Sequence, residues 1–260
     1  MLSASTGNGS ANFPQDNDGV IRRAPTAIYF DGADHVYPSL VMSAVIDILG
    51  IKKDGGFDYD FENNLLNLID STDTIVRTIP IDDNGRMYVN YFGKFQTFYY
   101  LPYSYCMDPE MLPPDYWEGK VALVGASLPG LMDLRNTPVQ ETFAGVEIHA
   151  NVMHSILQND FVVVKDNVST FYSILILCIV IGILISFPKK PFYALPLPIL
   201  GIVGWIIYAN LQFINQLTMI EVVRPIMSII GTFGGIFLYN YFGAEKDKRF
   251  LKNTFSTYIS

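Results

Sequence analysis

The residues best suited to chemistry stand in one loop, Gly125 to Pro138, where GASLPGLMDLRNTP sets Asp133 and Arg135 among flexible glycines. The loop follows a short apolar run and precedes a helical pattern, which is where open α/β sheets place their ligands. Asp133 and Arg135 are therefore the first candidates for ligand contact, followed by Arg22, Arg23 and Asn90. The competing use of Asp133 and Arg135 is to pair with each other or to cap the loop.

Other clusters carry less. His149 and His154 are five apart on the helical pattern, so their rings diverge by about 140° and cannot share a metal as an i, i+4 pair would. Glu147 beside them reads as a surface carboxylate, and His149 as a satisfied histidine. The acidic run Asp54, Asp58, Asp60, Glu62 lacks the glycine and glutamate placement of a helix-loop-helix calcium site and reads as a solvated loop. The sequence holds no Ser-His-Asp elbow, no GxxxxGK[ST] and no CxxC, so no catalytic residue and no metal ligand is assigned. Cys106 and Cys178 lie in such different surroundings that no disulfide between them is expected, and Cys106 reads first as a small buried hydrophobe, the alternative being a lone thiol that bridges two subunits.

Positioning these residues requires strands and helices. DNDGVIRR, Asp16 to Arg23, predicts a turn at Gly19 leading into a strand. YPSLVMSAVIDILG, Tyr37 to Gly50, predicts a helix stopped by glycine. Asp54 to Asp70 reads as a loop, and Thr74 to Ile81 and Arg86 to Tyr91 as a hairpin around Asp82-Asp83-Asn84-Gly85. An irregular aromatic, proline-containing segment runs from Phe95 to Trp117. KVALVGA, Lys120 to Ala126, predicts a central strand buried on both faces, and Val146 to Gln158 predicts a helix. Strand-loop-helix twice over makes this part α/β, with part of its sheet parallel.

Charge and hydropathy divide the chain. Residues 1–166 carry 10 Lys and Arg against 22 Asp and Glu, a formal −12, whereas the remainder carries +4. The acidic excess argues against nucleic acid or anionic lipid as the partner of residues 1–166, and leaves a cation or a basic or neutral small molecule. Val168 to Phe187 is twenty uncharged residues, about 30 Å as a helix and long enough to cross a bilayer's hydrocarbon core. Phe192–Leu211 and Val223–Phe242 predict a second and a third span, so the domains read as 1–166, three transmembrane helices and a linker, 243–260. Lys189 and Lys190 lie between the first two spans and Lys246, Lys248, Arg249 and Lys252 follow the third, while Asn215 to Glu221 has no Lys or Arg. By the positive-inside rule residues 1–166 are outside and the C-terminus is cytoplasmic. MLSASTGNGSANFPQDNDG is no signal peptide, so an upstream span is expected to have been left off.

DNDGVIRR, YPSLVMSAV, RMYVNYFGKFQTF, EGKVALVGASLPGLMDLRNTP and FAGVEIHANVMHSIL, in that order and followed by three spans, resemble the second type of CHASE domain, the extracellular sensor joined to bacterial cyclases and kinases. The likeness covers nearly the whole chain, although that family's pattern begins earlier, so the α/β domain is expected to be incomplete. RFLKNTFSTYIS, with Phe255, Tyr258 and Ser260, is similar to the segment joining the last membrane helix to class III adenylate or guanylate cyclase domains. The resemblance implies a multi-pass protein of the bacterial inner membrane that binds an unknown extracellular ligand and works as a homodimer. It implies no cofactor in this segment, and ATP or GTP with a divalent metal in a cyclase domain elsewhere. The alternative outputs are a histidine or serine/threonine kinase, or a free-standing membrane binding protein. Residues 1–260 themselves are expected to catalyse nothing.

Overall fold

The computed structural model describes residues 7–29, 36–108, 110–127, 133–187 and 191–258, with backbone alone at 191–192, 244 and 246–258. Residues 128–132 of the candidate loop, together with Lys189, Lys190 and Ser260, lie outside the described residues. The chain divides into two units after Val162.

In the first unit, Gly19 turns at φ +78° and leads to β1, Arg23–Pro25. Next come β2, Ala27–Tyr29, and β3, Val36–Pro38, an antiparallel pair. Helix α1, Leu40–Leu49, is capped by Ser39, whose side chain accepts from Met42 N, and is stopped by left-handed Gly50. Its Val41, Met42 and Val45 point into the core. Three antiparallel strands follow: β4, Phe57–Asp60, β5, Leu65–Ile69, and β6, Ile75–Pro80. β5 buries Leu66 and Leu68 and leaves Leu65, Asn67 and Ile69 half-buried, the period-two pattern of a sheet with one covered face. Residues 54–70, expected to be a loop, thus contain two strands. Their turns absorb the polar residues: the Asp60 carboxylate accepts from Asn63 N, and the Asp70 carboxylate from Thr72 N and Thr74 N.

The turn at Asp82–Gly85 forms, with Gly85 at φ +70°. The hairpin does not. β7, Arg86–Tyr88, pairs with β1 instead of β6. Thr26 explains the divergence, because its N–H and hydroxyl both donate to the Gly85 carbonyl and draw the turn towards the β1–β2 junction. After short α2, Tyr103–Met107, the strands β8, Leu134–Arg135, and β9, Phe143–Ala144, pair antiparallel and lead straight into α3, Gly145–Gln158. α1 and α3 pack on one core that includes Ile21, Leu66, Ile79, Met87, Phe143, Ile148 and Ile156.

Two expectations are corrected. Lys120–Ala126 has no regular structure and belongs to no ladder: Leu123 packs on the core while Val124 is 82 % exposed. An apolar run becomes a sheet strand only where a neighbouring strand takes its N–H and C=O groups, and no described strand lies beside it. The ladders of this unit are accordingly antiparallel among the described residues, and its single parallel pairing is the isolated bridge Ser10–Ser39.

The second unit begins with β10, Val163–Val164, and α4, Asn167–Ser186, capped by Asp166, which accepts from Ser169 N. A short 3-10 turn, Pro191–Ala194, precedes α5, Pro196–Gln216, so the second span starts four residues later than the hydropathy suggests, with Pro196 in its first turn. β11, Thr218–Met219, pairs parallel with β10, and α6 runs from Val223 to Tyr258. Asn167–Ser186, Pro196–Gln216 and Val223–Gly243 are long and apolar enough to cross a membrane, with mean hydropathies of 2.7, 1.7 and 1.3. Most of their apolar side chains face outward, as lipid-facing surfaces do, while Ile181, Ile185, Ala194 and Ile229 form a small buried cluster.

Candidate ligand-sensing site at the start of α3

The candidate loop is tied to the N-terminus of α3. Gly145 N–H donates to the Asp133 carbonyl at 2.9 Å. A Cβ built on Gly145 would stand 2.5 Å from an Asp133 carboxylate oxygen, so glycine is what lets that carboxylate lie over the helix start, where the helix dipole favours negative charge. Arg135 reaches Asp133 at 3.5 Å, and both are a little over a third exposed. The two first candidates therefore pair with each other, weakly and within reach of solvent.

Arg22, Asn90 and Arg135 stand on adjacent segments. Ile21 N donates to the Asn136 carbonyl at 2.8 Å and Val89 N to the Arg22 carbonyl at 2.9 Å, so residues 21–22 run between 89–91 and 136. Tyr91 hydroxyl reinforces this by donating to the Ile21 carbonyl. The guanidinium groups are occupied, however. Arg22 binds Asp18 through two nitrogens at 2.9 and 2.7 Å, and Arg23 bridges Asp16 at 2.5 Å and Asp82 at 2.8 Å. Arg86 adds a second cation to Asp82 at 2.9 Å. The Arg22 hydrogen bonds hold the Asp18 carboxyl down at about 2, and Arg22 is raised in turn. Burial pushes Asp82 up, but Arg86, through its backbone N–H and guanidinium, outweighs it, and the carboxyl ends below its ordinary value. This lattice of charges fastens the Asp16–Arg23 turn to the Asp82–Arg86 turn.

The strongest polar site was not among the sequence candidates. Glu147, read as a surface carboxylate, is 1 % exposed. Its carboxylate accepts from Gln96 N at 3.0 Å, Thr97 N at 2.9 Å and Tyr100 hydroxyl at 2.9 Å. One turn further, Asn151 accepts from Phe92 N at 2.9 Å and donates to the Glu147 carbonyl, while Gln140 accepts from Phe95 N. The aromatic segment 92–100, which has no regular structure to satisfy its N–H groups, is thus bound by side chains of α3 and its approach. Burial and the neighbouring Glu147 both raise Tyr100. The readable signal was the i, i+4, i+8 spacing of Glu147, Asn151 and Ser155 along α3, all three buried.

His149, expected to be satisfied, is 7 % exposed against Phe13, and its Nδ1 has no hydrogen-bond partner among the described residues. Burial lowers its pKa against the opposing pull of the Ala11 carbonyl and Asp133. His154 packs instead on Phe92 and Phe98. No group of three or more His, Cys, Asp or Glu side chains is gathered as a metal site among the described residues. Cys106 is exposed on α2, not a core residue.

An α/β unit, with the Asp133–Arg135 pair at the start of α3, is followed by three helices long and apolar enough to cross a membrane. A family model for the CHASE2 domain matches residues 2–186, and the chain belongs to that family of extracellular, non-catalytic sensor domains. No curated protein and no solved structure matches the chain.

Proposed function

We propose that the chain is the sensor and membrane-anchor portion of a receptor-type adenylate or guanylate cyclase of the bacterial inner membrane, acting as a homodimer. Residues 1–166 lie outside and bind a small ligand, with Asp133 and Arg135 as its first contacts and Asn90 beside them, while Arg22 and Arg23 contribute where the ligand displaces their carboxylate partners Asp18, Asp16 and Asp82. The chain itself performs no chemistry, and ATP or GTP and its divalent metal belong to the cyclase domain. The observation that carries this reading is the unbroken course of α6 from Val223 to Tyr258, through the third span and into the segment similar to a cyclase linker. A continuous helix passes rotation or translation along its length, so a ligand that binds one arrangement of the paired subunits more tightly shifts the output.

Orientation follows from Lys189 and Lys190 and the cations after the third span, against none in Asn215–Glu221. The test is to assay the complete gene product in membranes with ATP and GTP. Cyclic nucleotide formation supports the reading, and phosphate transfer to protein without cyclisation, or no nucleotide turnover at all, contradicts it. In the active protein Asp133→Ala is expected to change the response to added extracellular extract while leaving the amount of folded protein in the membrane unchanged.

A further inference from the structure

Residues 7–13, GNGSANF, form a strap that carries no ionisable side chain. It is fastened to the start of α1: Ser10 N–H donates to the Pro38 carbonyl at 3.1 Å, and the Ser10 carbonyl accepts from Leu40 N at 2.8 Å, an N–H group that the helix itself leaves without a partner. Further along the strap Phe13, 8 % exposed, lies in the core with its ring 4.4 Å from that of His149. His149 is 7 % exposed, and its Nδ1 has no hydrogen-bond partner among the described residues. It stands four residues after Gly145, on the face of α3 over which the Asp133 carboxylate lies.

We propose that His149 is the catch of a proton-operated latch: neutral, it seats residues 7–13 on α3, and protonated, it releases them, which makes acid on the outer side a stimulus of the sensing unit. The proposal deepens the sensor reading above and rests on it for the outward placement and the output. A neutral imidazole suits this place, since an unpaired acceptor nitrogen costs less than an unpaired charged donor. An imidazolium carries two N–H donors, and at Nδ1 no acceptor meets the second. Among the described residues Asp133, just ahead of β8, is the charged group whose field reaches the ring, but it is over a third exposed and shared with Arg135 at 3.5 Å. α1 offers Asp47 alone, which is exposed, while on α3 Glu147 is bound to residues 96–100 and His154 packs on Phe92 and Phe98. Burial therefore prevails, and the seated ring titrates below its ordinary 6.5. With the strap lifted, water reaches both nitrogens and the ring takes up its proton at the ordinary value, so the lifted form gains as pH falls. Release withdraws the Ser10 carbonyl from Leu40 N and uncovers the helix face below Asp133, so the change reaches both the start of α1 and the candidate ligand loop.

The experiment is hydrogen exchange on the whole chain in lipid nanodiscs from pH 8 to pH 5, corrected for the intrinsic pH dependence of amide exchange. Peptides holding the amides of Ser10 and Leu40 are expected to lose protection several-fold on acidification, while those of β5 keep theirs. In His149→Phe, which keeps a ring against Phe13 but takes up no proton, the loss should vanish, and His149→Gln should give the same answer if the larger side chain disturbs the fold. The sequence has two other histidines, His35 and His154, and His35→Gln and His154→Phe should leave the response in place. Protection that does not change with pH, a loss that survives both His149 substitutions, or one abolished by His154→Phe overturns the latch. In spheroplasts carrying the complete gene product, cyclic nucleotide formation should change several-fold when the medium is acidified, and should not in His149→Phe. Output that ignores the medium while the strap is released overturns acid as the stimulus. His149-dependent release in a protein that makes no cyclic nucleotide at any pH supports the latch and counts against the cyclase reading alone.

Discussion

Glu147 decides how the irregular half of the sensing unit is held. A buried carboxylate that accepts two backbone N–H groups and a phenol is stabilising only while all three donors stay aimed at it. Glu147→Gln turns an acceptor into a group that also presents two donors, and should cost about 1–3 kcal/mol in the unfolding free energy and open residues 92–100 to limited proteolysis. An unchanged cleavage pattern would show that the segment is held by its aromatic contacts instead. His149 gives a second residue-level outcome. Its folded pKa lies below the ordinary 6.5, so above that pH the fold bears no penalty. Below it, the unfolded chain takes up a proton that the fold refuses, and stability declines until the folded pKa is reached. Chemical denaturation from pH 8 to 5 should show this decline, and His149→Phe should flatten it. Asp82 acts lower: its depressed carboxyl contributes above the ordinary 3.8 and loses that contribution as pH falls through its folded pKa, so Asp82→Asn should remove an acid limb below about pH 4.

At the scale of elements, the approach to α3 depends on Gly145. Gly145→Ala places a methyl 2.5 Å from the Asp133 carboxylate, which must swing away, at an expected cost of about 1 kcal/mol. Because the clash is with that side chain, Asp133→Ala should return part of the loss, and strictly additive effects in the double-mutant cycle would contradict the close contact. The helices α1 and α3 and the turns at Gly19 and Asp82–Gly85 were legible in the sequence, since caps, glycines and helical periodicity are local signals. The strand within residues 120–126 was misread because strand formation depends on a partner that local composition does not name. β4 and β5 were missed because their turns borrow the same Asp and Asn residues that mark solvated loops. Among site residues, the sequence singled out Asp133 and Arg135 by their loop, but charge alone could not tell that Arg22 and Arg23 are spent on Asp16, Asp18 and Asp82. Glu147 and His149 escaped because burial is a property of the packed helix, not of the residue type.

For the whole molecule, an acidic α/β sensor is followed by three helices long and apolar enough to cross a membrane, the last of which runs on to Tyr258. Under the proposed function the two ends of the chain lie on opposite sides of the membrane, since a receptor that kept both on one side would have nothing to transmit. Two cysteines make that claim directly measurable. Cys106 is exposed in the sensing unit, and Asn253→Cys in a Cys106→Ser background puts a thiol on α6 beyond the span. Right-side-out spheroplasts treated with a membrane-impermeant maleimide should label Cys106 at once and Asn253→Cys only after lysis. Labelling in the reverse order, or of both thiols before lysis, would contradict the account.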